Sequence, residues 1–305
     1  MPLAFHVLAH TNPELLTRSI EAMWAPQNLY VVHYDRRRPQ EEHAIVQKLA
    51  AKYTNVVLQP PRPVLWGRFS LLQAQLDGLR IALAQRSGWT HWINLSGQCF
   101  PLQTPERMEA ILSSEPGLSS VNAFDPLTTP HWPHAIERLS KKALDLPWLE
   151  WLLWRPGLGR RLRRLFGGGP IPTVKRSQPK PPPPFARWYG GDNWVVLARN
   201  AAEYVASAAV KPLLEWFSDT LLPEESFFQT AVMNSPEPLP RISDHRRELL
   251  WHPGDISPSI FRTEHTARLE KAAQAGRLFA RKFNLAVDAK VIDFIERRLL
   301  AHATA

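Results

Sequence analysis

The 305-residue chain has a single cysteine, Cys99. No disulfide can form within it, so a reducing, cytoplasmic setting is the expectation. Long apolar runs are missing too. Trp148 to Trp154 is apolar but contains Glu150 and is far shorter than the ~20 residues a membrane span needs. The opening MPLAFHVLAHTNPE has neither a basic n-region nor a long apolar h-region and does not read as a secretory signal. A soluble or peripheral protein is expected. No Asp-X-Asp occurs, and such a pair is the usual holder of the divalent ion on a nucleotide diphosphate. His131 and His134 lie three apart with no third ligand near in sequence, so no metal site is expected. Glycine is scarce, and the run Gly167 to Gly169 follows no strand and precedes no Lys-Ser/Thr, which excludes a phosphate loop.

Acidic residues are also in deficit, 28 against 37 Lys and Arg, for a formal net charge of +9. The imbalance has one location. Trp151 to Trp188 holds Arg155, Arg160, Arg161, Arg163, Arg164, Lys175, Arg176, Lys180 and Arg187 and no acid, while the remaining 28 cations match the 28 anions. With its triple glycine and Pro181 to Pro184, the segment reads as a Trp-rich helix, a short basic helix and a Pro-rich connector leaning to polyproline II. It is either a solvated surface insertion or an interfacial anchor, with aromatics in lipid and arginines on anionic headgroups. No recognition-helix, RNA-recognition or zinc-finger pattern accompanies it, so nucleic acid is not expected as a partner.

The rest has ordinary globular patterning. Strands are expected at Leu3–Ala9, Leu29–Tyr34, Asn55–Leu58 and Trp89–Leu95, separated by helices from Pro13 to about Trp24, over Glu41–Tyr53 and over Ser70–Ala84. This alternation implies an α/β fold with a mostly parallel sheet, whose sites lie beyond the C-terminal strand ends. That rule selects His10-Thr11-Asn12, Tyr34-Asp35-Arg36, Gln59 to Arg62 and Ser96-Gly97-Gln98. Later come strands at Val121–Phe124 and Trp194–Ala198, helices at Asn200–Ala209, Lys211–Thr220, Pro223 to about Asn234 and Thr266–Ala275, and a last helix from Val287 to about Leu300. The chain reads as one domain, 1–305, carrying the basic Trp/Pro-rich insertion at about 148–188.

Two constellations could carry chemistry. Glu224 and Glu225 stand at an expected helix start, where the positive helix end would keep a carboxylate ionised and able to take a proton from a hydroxyl. Leu278 to Phe283 (LFARKF) sets Arg281 and Lys282 in an apolar frame; on a strand they point oppositely and one faces a pocket, where a phosphate or a carboxylate would balance it. Cys99, with no partner base evident, reads as buried apolar filler.

Seven segments in order, AFHVLAH (4–10), LYVVHYDR (29–36), LWGRFSLL (65–72), WTHWINLSGQCFPLQT (89–104), YGGDNWVVLAR (189–199), TLLPEESFFQT (220–230) and LFARKFN (278–284), together resemble the family 14 glycosyltransferases. These comprise the core-2/I-branching β-1,6-N-acetylglucosaminyltransferases and the peptide O-xylosyltransferases. The resemblance implies a GT-A type fold, a UDP-sugar donor, a glycan or peptide acceptor, inversion at the anomeric carbon and no divalent metal or other cofactor. It selects Glu225, closing the Pro-x-Glu motif, as the catalytic base. It matches Lys282 and Arg247, with Arg246 the near alternative, to the cations that hold the diphosphate. It makes Asp35 a candidate for nucleoside contact. His10, Trp66, Ser96, Gly97, Asn193 and Trp194 complete the donor-binding set. The family's secretory members are disulfide-rich and membrane-anchored, whereas this chain looks like a bacterial, cytoplasmic relative, peripheral on the inner face of the membrane through 151–188. Cys99 and Asn193 stand where the family motifs carry acids, which leaves GlcNAc and xylose both open as donor sugar. It also leaves the alternative of a catalytically inactive relative that docks on a membrane or polyanion.

Overall fold

The computed structural model describes the chain except residues 86–87, 130–131, 133–134, 145–173, 254, 256 and 302–305. In chain order the strands and α-helices are β1 (Leu3–Ala9), α1 (Pro13–Ala22), β2 (Leu29–Tyr34), α2 (Gln40–Lys52), β3 (Val56–Leu58), α3 (Phe69–Gln85), β4 (His91–Ser96), β5 (Cys99–Pro101), α4 (Pro105–Ser113), β6 (Ser119–Val121), α5 (Ala135–Ser140), β7 (Lys141–Leu144), β8 (Val174–Pro179), β9 (Val195–Ala198), α6 (Arg199–Ala206), α7 (Lys211–Phe217), α8 (Phe227–Met233), β10 (Arg241–Ile242), β11 (Arg247–Leu249), α9 (Thr266–Gln274), β12 (Phe279–Arg281) and α10 (Lys290–Ile295). Seven strands form the main sheet in the order β10-β6-β9-β4-β1-β2-β3. β1 runs parallel to β2 and β4, and β2 parallel to β3, so the expected mostly parallel α/β sheet is present. β9 alone is antiparallel to both neighbours, β4 and β6.

Strand alternation builds two cores. Leu3, Phe5, Val7 and Ala9 pack on one face with Leu16, Ile20, Val46 and Leu49. Ala4, Leu29 and Val31 face the other way, onto Leu72, Leu76, Leu79 and the aromatic cluster Trp216, Phe217, Phe227 and Phe228. Helix α3 lies tight against β1: a Cβ on Gly78 would stand 2.3 Å from His6 Nε2, so only glycine fits there. His6, held by Gln59 at 3.0 Å, is driven down to about pKa 3 by burial, the neutral ring being the form the core tolerates.

The run LFARKF, considered as a strand, contains β12. The second sheet it joins, β11-β12-β5, was not expected, because the partners β11 and β5 are three residues each and lie far from β12 in sequence. Its own core joins Phe100, Phe261, Phe283 and Ile292. Four further expectations change. The strand expected at Val121–Phe124 is Ser119–Val121, and Phe124 pairs with Gly190 through an isolated bridge. The helix expected from Pro223 is broken: Pro223–Glu225 is a 3₁₀ turn, Ser226 leaves helical geometry (φ −141°), and α8 starts at Phe227. The last helix passes into π geometry over Glu296–Leu300. The Trp-rich and basic helices expected in the insertion lie outside the described residues, but its end is no loose connector. Val174–Pro179 pairs antiparallel with Lys141–Leu144. Lys180 then inserts onto α7, donating to Asp219 Oδ1 (2.7 Å) and the Trp216 carbonyl (2.8 Å), with its ammonium 3.8 Å above the Trp216 ring.

Candidate active site

The four strand-end positions converge as the topology requires. His10 follows β1, open to solvent yet ringed by protein; that partial burial lowers its pKa first, with Asp35 pulling it up and Arg38, Arg37 and Arg281 pulling it down. Asp35 follows β2 and is buried. Its carboxylate accepts from Arg37 N (2.9 Å), Arg37 Nε (3.0 Å), Arg37 Nη2 (2.8 Å) and Val64 N (3.0 Å). Four donors fill the four acceptor directions of a carboxylate, so Asp35 ties the turn after β2 to the 62–64 loop. At the end of β4, Gly97 N–H donates to Leu8 O (3.2 Å), and a Cβ there would meet Ala9 Cβ at 2.7 Å.

Beside Ser96 lies a cationic cluster. Period two along β12 puts Phe279 and Arg281 on one face and Ala280 on the other. The parallel partner β11 sets Arg247 opposite Phe279. Arg247 is fully buried, donates to the carbonyls of His245 and Asn94, and stacks on Trp194 and Phe279 at 5.3 and 5.9 Å. Its Nε is buried without a partner. Arg281 donates to Ser96 Oγ (3.1 Å) and lies 4.8 Å over Trp194. No carboxylate lies within ion-pair distance of either guanidinium among the described residues. Burial is the main cause pushing both pKa values down, Arg247 to about 10. Such burial of cation without counter-anion is costly unless a ligand supplies the charge. The neighbouring Arg246 turns away to Glu115 and Ser120 Oγ, so of the two alternatives Arg247 joins the cluster. Lys282 follows the end of β12 and donates to Ser257 Oγ (3.0 Å); burial first, and then the Arg281 charge, lower its pKa.

The carboxylates occupy the turn between α7 and α8. Leu222 is left-handed (φ 52°) and donates to the carbonyl of Gly67, which brings the exposed Trp66 beside this turn. Glu224 points inward: it is buried, its Oε2 has no partner, and burial, with repulsion from Glu225, pushes its pKa up to about 8. Glu225 keeps a partly open side chain, 28% exposed, and its Oε2 accepts from Arg138 Nη1 at 2.9 Å. The expected helix-end stabilisation of the anion is absent here, because a three-residue 3₁₀ turn carries no macrodipole of consequence. Burial instead raises the pKa of Glu225, and Arg138 opposes it.

One strap ties the carboxylate turn to the cations. Gly191 N–H donates to the Glu225 carbonyl (2.9 Å), and a Cβ on Gly191 would meet Asn122 O at 2.0 Å, so glycine is required. Three residues on, Trp194 carries Arg247 and Arg281. Three peptide steps span at most about 11 Å. Between them, Asp192 accepts from Asn122 Nδ2 (2.8 Å), and Asn193 is a strut, its Oδ1 accepting from Gln75 (2.7 Å) and its carbonyl from Asn94 (2.7 Å).

Residues 3–254 match the family model described as Core-2/I-Branching enzyme. The chain belongs to the Core-2/I-branching enzyme family. Among the curated relatives, xylosyltransferase oxt of Drosophila melanogaster is 27% identical over 94% of this chain and 32% of its own length. The mouse N-acetyllactosaminide beta-1,6-N-acetylglucosaminyl-transferase is 30% identical over 75% of this chain and 52% of its own. The chain thus spans about a third to a half of these relatives. A crystal structure of mouse xyloside xylosyltransferase 1 aligns over 92% of this chain and 97% of its own at 10% identity and a TM-score of 0.38, too low to bear on mechanism.

For this family member the structure gathers Ser96, Trp194, Arg247 and Lys282 at one pole, His10 and Asp35 at its rim, and Glu225 with Trp66 at the other. Sequence reasoning left Arg138 and Asp192 out. Arg138 gives no signal, because 87 residues of chain separate it from the carboxylate it meets. Arg281 was in view as one of an alternating pair. Among the described residues no group of three His, Cys, Asp or Glu side chains could hold a metal ion, and no helix is long and apolar enough to cross a membrane.

Proposed function

We propose that the chain is an inverting, metal-independent glycosyltransferase that moves GlcNAc or xylose from a UDP donor to a hydroxyl of a glycan or peptide. The observation that carries this reading is the pairing of a partly exposed carboxylate, Glu225, with the buried Arg247 and the half-buried Arg281, neither of which has a carboxylate partner among the described residues, across one short strap. The diphosphate lies on Arg247, Arg281 and Lys282, where fixed cations in a dry site stabilise charge without reorganising. Glu225 takes the acceptor proton as the acceptor oxygen bonds to the sugar C1. The C1–O bond to the β-phosphate breaks on the opposite side, its electron pair leaves with UDP, and the configuration inverts. Ser96 holds the Arg281 guanidinium, and Trp194 is the plane on which both arginines lie. Donor preference between the two sugars falls to the neighbourhood of Asp192 and Asn193.

The test is turnover with a UDP-sugar panel in EDTA. Transfer from UDP-GlcNAc or UDP-xylose, with Glu225→Gln at least about a hundredfold slower, supports the reading. No turnover and no UDP binding, or a Glu225→Gln variant as fast as the native chain, overturns it.

A further inference from the structure

Arg138 stands in α5, an element no motif marks, and reaches Glu225 with Nη1 at 2.9 Å from Oε2. Its side chain is 10% exposed. The guanidinium lies 4.2 Å over the Trp132 ring, which is itself flanked by Phe124 at 5.4 Å and Trp188 at 5.7 Å. The ring of Trp132 also abuts Gly190, at the head of the strap that carries Glu225's backbone partner. Arg138 Nε is buried without a hydrogen-bond partner, so stacking and one carboxylate hold the group in place.

The charges around Glu225 are few. Asp192, from the strap, acts against its ionisation. Glu224, on the same turn, has its pKa pushed up by burial first and then by the Glu225 charge, so it favours the protonated form. Arg138 is the one cation paired with Glu225 among the described residues. We propose that Arg138 is a positioning residue for the base: it clamps one carboxylate oxygen of Glu225, keeps the carboxylate ionised, and leaves the other oxygen for the acceptor hydroxyl. This rests on Glu225 being the base. Without the guanidinium, burial and Asp192 act unopposed, and the carboxyl holds its proton to higher pH.

The experiment is a pH titration of the Glu225 carboxyl by infrared difference spectroscopy, its C=O band identified by subtraction of the Glu225→Gln spectrum. It runs on the native chain, Arg138→Met and the charge-keeping Arg138→Lys, beside the pH profile of kcat/KM. The expected result is a midpoint at least about one pH unit higher in Arg138→Met, an acid limb that moves with it, and an intermediate value in Arg138→Lys. If Arg138→Met does not fold, Arg138→Gln takes its place in the same comparison. An unmoved band overturns the role of Arg138 whatever the turnover. A moved band with undiminished Glu225→Gln activity supports the ion pair and removes the base assignment instead.

Discussion

Lys180 and the Arg247–Arg281 pair bury cations in different ways. At the end of the basic insertion Lys180 meets Asp219, two oxygens and an aromatic face. At the strand ends beside Ser96, Arg247 and Arg281 meet carbonyls, a hydroxyl and Trp194, but no carboxylate among the described residues. The first arrangement is complete and holds chain to chain. The second lacks an anion that a phosphate would provide. The same contrast divides the two carboxylates of the Pro223–Glu225 turn, where Glu225 has its cation and Glu224 has none. For the cations, a buried charge with its own counter-ion holds the architecture, and one without it is poised to meet an anionic ligand.

The largest expected effect concerns Glu224. Its folded pKa is raised, so its contribution to stability is present below the unfolded value and is lost as pH rises toward about 8. At pH 7 this is a penalty on the order of 3 kcal/mol, from 1.36 kcal/mol per pH unit over the interval from ~4.5. Glu224→Gln is therefore expected to be more stable than the native chain at pH 7, with the gain gone at pH 4.5, as read by denaturant melts. An equal melt at both pH values would break the contrast between the two glutamates. Next, Arg247→Met should weaken UDP binding by about 3 kcal/mol, roughly a hundredfold by calorimetry, if the cluster awaits an anion. Unchanged affinity would return Arg247 to the architectural class. Lys180→Met should do the reverse, costing about 2 kcal/mol of stability by stranding partners of Lys180 and leaving UDP affinity within about twofold. The smallest effect is expected from Lys282→Ala, about 1 kcal/mol in UDP affinity and falling with added salt, since its ammonium is only partly shielded.

Much of this was legible in the residues. Leu29–Tyr34 and Leu3–Ala9 are apolar runs buried on both sides, and the strands lie where those runs do. His10, Asp35 and Ser96 follow strand ends and gather because a parallel sheet brings its C-terminal ends together. The three-residue strands of the small sheet are too short to show a period, and β11 and β12 are held by partners distant in sequence. The helix expected at Pro223 failed because Ser226 breaks it, a local choice that lets Glu224 and Glu225 point to opposite environments.

The sequence alone determined the sheet, the family and the identity of the charged residues, because periodicity and motif order are properties of neighbours along the chain. It also located the +9 in one segment on a neutral body. Tertiary structure decided which charges are satisfied. Arg246 found Glu115, Arg247 found only carbonyls and rings, Lys180 found Asp219, and Glu225 found an arginine 87 residues away. Whether a charge is paired depends on what the fold places within a few ångströms of it, because only a hydrogen-bonded partner offsets the cost of taking a charge out of water.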